Sequence, residues 1–73
     1  MTNEEKIAIL EELMEVDEGT LTAETLLSNI EEWDSVSLLS FMAMLDEKFG
    51  KIVIGSEIKT KETVEDLMAM MEK

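Results

Sequence analysis

The chain has no cysteine, no histidine and no proline among its 73 residues. Without cysteine there is no disulfide and no thiolate ligand to brace the fold. Without histidine a metal site would rest on carboxylates alone, and no run of Asp and Glu has the spacing of a calcium loop. Because proline is absent, no helix is interrupted. We therefore expect one small domain, residues 1–73, with no metal site and with marginal stability.

Several side chains that enzymes use in catalysis are missing as well. Tyrosine is absent, and lysine is the only cation, so general acid–base chemistry would fall to carboxylates and lysines. A nucleophilic serine needs a base within reach. A serine that another enzyme modifies needs no base of its own. The composition predicts that the protein is not an enzyme.

Charge of one sign dominates the chain, with a net charge of −12 at pH 7. Nucleic acid is excluded as a partner because its phosphates would be repelled, and anionic membrane surfaces are disfavoured for the same reason. Proteins with basic patches are the natural partners of such a surface. In a chain without a motif, solubility alone would explain the acidity.

No apolar run approaches the length that spans a membrane. Residues 1–5 are acidic and polar, unlike the basic and apolar regions of a secretion signal. The sequence thus predicts a cytoplasmic monomer without stable membrane insertion.

Apolar periodicity predicts an all-α fold, a small four-helix bundle with a long first loop and a very short third helix. The first helix opens with a capping box formed by Thr2 and Glu5. It is expected to end near Asp17-Glu18-Gly19, where Gly19 can supply a left-handed residue. Three of its glutamates are assigned to a solvated face: Glu11, Glu12 and Glu15.

The segments between the long helices are predicted to contain little regular secondary structure. The loop of residues 19–34 is long for a helix connection, but four apolar residues predict that it is ordered: Leu21, Leu26, Leu27 and Ile30. Residues 22–25 could hold one helical turn. Residues 52–54 have no second strand to pair with, so we interpret them as a buried loop. Ser56 is predicted to cap the third helix, and the last helix to begin near Lys61 with four core residues: Val64, Leu67, Met68 and Met71.

The junction between the long loop and the second helix is the most informative stretch of the chain. Asp34 and Ser35 stand directly before the apolar periodicity, and both residue types cap helices through their side-chain oxygens. The second helix is predicted over residues 35–49, ending at Gly50, with five residues on its core face: Leu38, Phe41, Met42, Leu45 and Phe49. Ser35 then lies near the positive end of the helix dipole, which favours a phosphate, free or covalently attached. Trp33 is interpreted as a packing residue beside this junction.

Asp34-Ser35-Val36 resembles the attachment motif of the acyl carrier protein family, in which Asp-Ser and an aliphatic residue open the second helix. The likeness continues with the family's order and spacing through Phe49-Gly50, Ile52-Val53-Ile54 and Thr63-Val64-Glu65-Asp66-Leu67, and it is looser before Asp34. The resemblance implies that Ser35 carries a covalent 4′-phosphopantetheine arm and that Asp34 helps the modifying enzyme recognise the site. It also implies a carrier that holds acyl intermediates as thioesters, with the arm supplying the thiol that the chain lacks.

The resemblance also implies which partners the protein meets and with which surface. The expected partners are a phosphopantetheinyl transferase and enzymes with basic patches that load or transfer acyl groups. The expected contact residues are Glu31, Glu32, Val36, Leu39, Ser40, Ala43, Met44 and Glu47. Seven carboxylates oppose one lysine in residues 1–18, but only two oppose one lysine in residues 35–49. General carriers of fatty-acid synthesis place carboxylates along the second helix, so we expect a specialised lipid, polyketide or related pathway.

Two alternatives stay open at this point. An acidic helical interaction module that is never modified would use the same surface. The cargo could be an aliphatic acyl, polyketide or aminoacyl group. Because methionine adapts to irregular gaps, four inward methionines predict a core soft enough to admit part of a cargo chain: Met14, Met42, Met68 and Met71.

Overall fold

The computed structural model describes residues 2–72 and confirms the all-α prediction. It contains four α-helices and one turn of 3-10 helix. The α-helices are α1 (Asn3–Met14), α2 (Ser35–Phe49), α3 (Gly55–Ile58) and α4 (Val64–Met70), and the 3-10 turn is Leu27–Asn29. Within residues 2–72 the extended backbone pairs only as an isolated antiparallel bridge between Leu26 and Thr63.

Helix α1 begins as predicted but ends earlier. The Thr2 hydroxyl accepts from the Glu5 N–H at 3.2 Å, and the Glu5 carboxylate accepts from the Thr2 N–H at 3.1 Å. At the other end Glu15 takes the left-handed conformation, with a φ of 59°, and its N–H donates to the Glu11 and Glu12 carbonyls. The predicted end near Gly19 is therefore wrong, and Gly19 instead lies in the turn that follows, with a φ of 87°.

The Glu11 side chain holds the segment that follows the end of α1. It is only 5% exposed, so assigning it to a solvated face was wrong, although Glu12 and Glu15 are exposed. Its carboxylate accepts from the Gly19 N–H at 2.9 Å and from the Leu21 N–H at 3.0 Å. These two bonds draw the chain back along α1 and start the long loop.

The long loop is ordered, as predicted, but its helical turn lies further along. Leu21, Leu27 and Ile30 are buried, whereas Leu26 is half exposed. The expected helical turn at residues 22–25 is a simple turn, and the helical turn is Leu27–Asn29. The loop also pairs with the segment before α4: the Leu27 N–H donates to the Glu62 carbonyl at 2.8 Å, and the Val64 N–H to the Thr25 carbonyl at 3.0 Å. The start of the loop is thus tied to α1 by Glu11, and its middle to the segment that opens α4.

Helix α2 forms the centre of the fold with the predicted bounds. Gly50 ends it in the left-handed conformation, with a φ of 65°. Phe41 and Leu45 are fully buried and Leu38 nearly so, while Met42 and Phe49 are partly buried. The other buried core residues come from every part of the fold: Leu10, Met14, Leu21, Leu27, Ile30, Met44, Ile58, Val64, Leu67, Met68 and Met71.

The segment between α2 and α3 differs from the predicted buried loop. Ile52 is 91% exposed and Ile54 is also exposed, because the extended chain alternates its side chains and turns only Lys51 and Val53 partly inward. The Lys51 Nζ donates to the Met70 carbonyl at 2.9 Å, which satisfies a free carbonyl at the end of α4. Helix α3 begins at Gly55 with Ile54 at the cap position and no side-chain cap, so the prediction that Ser56 caps it was wrong.

Helix α4 begins three residues later than predicted. Thr63, rather than a residue near Lys61, is the N-cap, and it forms a capping box with Asp66. The Asp66 carboxylate accepts from the Glu62 N–H at 3.0 Å and from the Thr63 N–H at 3.2 Å. Two hydrogen bonds lower the pKa of Asp66 from its usual value of 3.8. The bond from the Glu62 N–H has the larger effect, and the bond from the Thr63 N–H the next largest. The four predicted core residues of this helix are buried, as expected.

The capping carboxylate predicts a pH-dependent contribution to stability. Since the pKa of Asp66 is lowered in the folded chain, its contribution is present above the unfolded pKa and is lost as pH falls through the folded pKa. Asp66→Asn should therefore lower the melting temperature most at neutral pH, and the difference from wild type should shrink below about pH 4. Melting curves by circular dichroism across this range check it. Glu62→Gln, at an exposed carboxylate next to the cap, serves as control, and a difference for Asp66→Asn that is constant with pH would contradict the prediction.

Candidate functional site

The candidate site is built where the long loop enters α2. Asp34 is the N-cap of α2, and its carboxylate accepts from the Val36 N–H at 3.1 Å and from the Ser37 N–H at 3.0 Å. Ser35 is the first residue of the helix and is exposed. Asp34 thus fixes the start of the helix, where the Ser35 side chain is exposed to solvent.

The same cap limits what the helix N-terminus can bind. Asp34 occupies the N–H groups of Val36 and Ser37, which are donors that an anion would otherwise use at this end of a helix. A phosphate attached to Ser35 would lie outside these two bonds. The expectation that the first turn stabilises such a phosphate therefore reduces to the dipole of the helix.

Hydrogen bonds also hold the segment that leads into the helix. The Trp33 N–H donates to the Ile30 carbonyl at 3.1 Å, and the Asp34 N–H to the Glu32 carbonyl at 3.1 Å. The Ser37 hydroxyl donates to the same Glu32 carbonyl. Ser37 is 7% exposed, so it does not present its hydroxyl where Ser35 does. This bond was not anticipated from the sequence.

Trp33 packs against the core beside the candidate site. Its ring meets the Phe41 ring edge-on, with 6.0 Å between the ring centroids and an angle of 75° between the ring planes. Trp33 is partly buried and Phe41 fully buried. The geometry agrees with the interpretation of Trp33 as a packing residue.

Most of the expected contact residues lie at the surface, with one exception. Seven are exposed: Glu31, Glu32, Val36, Leu39, Ser40, Ala43 and Glu47. Val36 and Leu39 are 69% and 62% exposed, so both present apolar side chains at the surface of α2. Met44 is only 7% exposed and belongs to the core, so its assignment to the contact surface was wrong.

The buried face of α2 explains this error. The buried residues of the helix are Ser37, Leu38, Phe41, Met44 and Leu45, which follow the i, i+1, i+4, i+7, i+8 spacing of a single stripe. The predicted stripe was rotated toward Met42 and Phe49, both of which are only partly buried. A helical wheel that counted Ser37 among the buried residues would have identified the correct face.

Two open clefts lie beside the entrance to α2. One, of about 320 Å³, is lined by Met14, Glu15, Glu32, Asp34, Val36 and Ser37. A larger cleft of about 410 Å³ shares Glu15 and Glu32 with it and continues along the long loop past Thr20, Thr25 and Asn29. Met14, one of the methionines expected to soften the core, lines the smaller cleft although it is buried in the core like Met68 and Met71.

Comparison with protein-family models, with curated proteins and with solved structures finds no match for this chain. Within residues 2–72, no helix combines the length and the apolar character needed to cross a membrane.

Proposed function

We propose that this protein is an acyl carrier, which holds acyl intermediates as thioesters on a 4′-phosphopantetheine arm attached to Ser35. The observation that carries the proposal is an exposed serine at the first position of the central helix, fixed there by the Asp34 cap. The sequence resemblance around Asp34-Ser35-Val36 adds to it. The proposal needs no catalytic group in the chain itself, which suits its lack of histidine, cysteine and tyrosine.

The residues around Ser35 fit the attached group. Ser35 is exposed, and its chain neighbours Asp34 and Val36 line a cleft of about 320 Å³. When attached, the arm supplies the thiol on which an acyl group is carried. Asp34 keeps the helix start ordered through its two backbone hydrogen bonds, whatever the arm carries. The chain's own part is to present one hydroxyl and the surface around it.

The surface next to Ser35 is complementary to a partner surface with a basic rim and an apolar centre. Val36 and Leu39 supply exposed apolar area on α2, and Glu31 and Glu32 are exposed in the segment before it. Complementary charge speeds association and fixes orientation, while exposed apolar residues supply area that a partner can bury. We propose that a phosphopantetheinyl transferase and enzymes that load or transfer acyl groups dock here.

The charge distribution supports a specialised role. The described α2 carries Asp46, Glu47 and Lys48 at its C-terminal end, far along the helix from Ser35. The acidic pair nearest to Ser35 precedes the helix instead. We therefore propose that the protein serves a dedicated lipid, polyketide or related pathway in the cytoplasm. Its partners would recognise Glu31 and Glu32.

Intact-mass spectrometry tests the proposal directly. The purified protein, incubated with coenzyme A and a broad-specificity phosphopantetheinyl transferase, should gain the mass of one arm per chain. The alternative, an unmodified acidic interaction module, predicts no gain of mass with any transferase, including one from the same cells. A gain of one arm followed by formation of a thioester with an acyl donor would exclude that alternative.

A further inference from the structure

Ser37 links the start of α2 to the acidic segment that precedes it. Its hydroxyl donates to the Glu32 carbonyl, and its backbone N–H donates to the Asp34 carboxylate. The Glu32 carbonyl accepts a second bond from the Asp34 N–H at 3.1 Å. One buried residue of the helix therefore binds both residues that flank Trp33.

We propose that Ser37 is a positioning residue, whose buried hydroxyl holds the Glu31–Glu32 pair at a set place relative to Ser35. The inference rests on the proposed function, because it concerns how a modifying enzyme finds Ser35.

The position of the acidic pair depends on the backbone that carries it. The side chains of Glu31 and Glu32 are exposed, so the backbone of this segment must set their position. Trp33 anchors the segment from one side by packing on Phe41. The Ser37 hydroxyl anchors it from the helix side, at a site with 7% exposure where water competes little for the bond.

Losing this bond should move the acidic pair without dismantling the site. Asp34 keeps its two bonds to backbone N–H groups in a Ser37→Ala variant, because only the side chain changes. The Glu32 carbonyl keeps the Asp34 N–H. The segment 31–33 then samples more positions, and a partner that pairs with both glutamates must order them again on binding.

Steady-state kinetics with coenzyme A and a phosphopantetheinyl transferase that modifies the wild-type protein measures this cost. Ser37→Ala should raise the KM for the protein about fivefold, which corresponds to one net hydrogen bond, and leave kcat unchanged because Ser35 itself is untouched. Ser37→Thr keeps the hydroxyl and should restore the KM. Ser56→Ala, an exposed serine of α3, is the matched control and should behave as wild type.

A double-mutant cycle separates positioning from a general loss of structure. In a Glu31→Gln/Glu32→Gln background the pair no longer needs positioning, so Ser37→Ala should change the KM less than about twofold. Equal effects of Ser37→Ala in both backgrounds would overturn the proposal. If Ser37→Ala does not fold, Ser37→Thr against Ser37→Val gives the same comparison, since the two differ by a hydroxyl and a methyl.

Trp33, the only tryptophan, reports on the segment without any modification reaction. Quenching of its fluorescence by acrylamide should increase in Ser37→Ala and stay at the wild-type level in Ser37→Thr and Ser56→Ala. Unchanged quenching in Ser37→Ala would also overturn the proposal. A wild-type protein that no transferase modifies, with quenching as expected, would instead refute the carrier function and leave the hydrogen bond in place.

Discussion

Replacing Ser35 by alanine is expected to abolish attachment of the phosphopantetheine arm while leaving the fold intact. The arm needs a hydroxyl at the first position of α2, and Ser37, two residues on, is buried with its hydroxyl bonded to the Glu32 carbonyl. The cap of the helix does not depend on Ser35, because Asp34 binds the N–H groups of Val36 and Ser37. Alanine is also the best helix former. Intact mass after incubation with transferase and coenzyme A checks the loss, and circular dichroism checks the fold.

Two other exposed serines provide matched controls for this result. Ser28 lies in the 3-10 turn and Ser56 in α3. Ser28→Ala and Ser56→Ala should accept one arm per chain, as the wild type does. If the Ser35→Ala variant still gains the mass of an arm, another residue is the attachment site and the assignment is wrong.

The central helix shows what the sequence could predict. Two local signals, the Asp34 cap and Gly50, coincide with the ends of the apolar periodicity, and the structure begins and ends α2 at these positions. Signals of this kind act within a few residues of the chain, so they can be read without knowing the fold. The same holds for the start of α1, where Thr2 and Glu5 form the predicted capping box.

The errors had different physical origins. Glu11 was assigned to a solvated face but is buried, because its carboxylate binds backbone N–H groups eight and ten residues later, and periodicity carries no signal for such a bond. The start of α4 is different, because Thr63 and Asp66 have the spacing of a capping box and that signal was overlooked. Residues 52–54 were interpreted as a buried loop because no second strand could pair with them, but the extended chain between Gly50 and Gly55 points Ile52 and Ile54 outward.

The sequence predicted the centre of the candidate site but not its surroundings. Its centre, Asp34 and Ser35, depends on a local cap and lies where predicted. Its surroundings depend on which face of α2 meets the core. A rotation of the predicted stripe was enough to assign the buried Met44 to the contact surface and to leave the role of Ser37 unnoticed.

Glu11 lies far from Ser35 along the chain, yet its removal should lower the free energy of unfolding substantially. The carboxylate is 5% exposed and binds the N–H groups of Gly19 and Leu21. Glu11→Ala leaves both donors without this partner, and the Leu21 N–H is buried. An unsatisfied buried donor costs about 1–3 kcal/mol, so the free energy of unfolding should fall by about 3 kcal/mol. A domain of this size has roughly 4–11 kcal/mol in total.

Urea denaturation followed by Trp33 fluorescence and by circular dichroism measures the loss. Glu12→Ala is the matched control, since Glu12 is the neighbouring glutamate of α1 and is exposed; its effect should stay within about 0.5 kcal/mol. Glu11→Gln keeps an acceptor oxygen without the charge, so it should fall between the two because bonds to charged groups are the stronger ones. Equal stabilities of Glu11→Ala and Glu12→Ala would show that the loop does not depend on this carboxylate. The expected order, wild type above Glu11→Gln above Glu11→Ala, would instead show that one buried acid among eighteen anchors the loop that leads to Ser35.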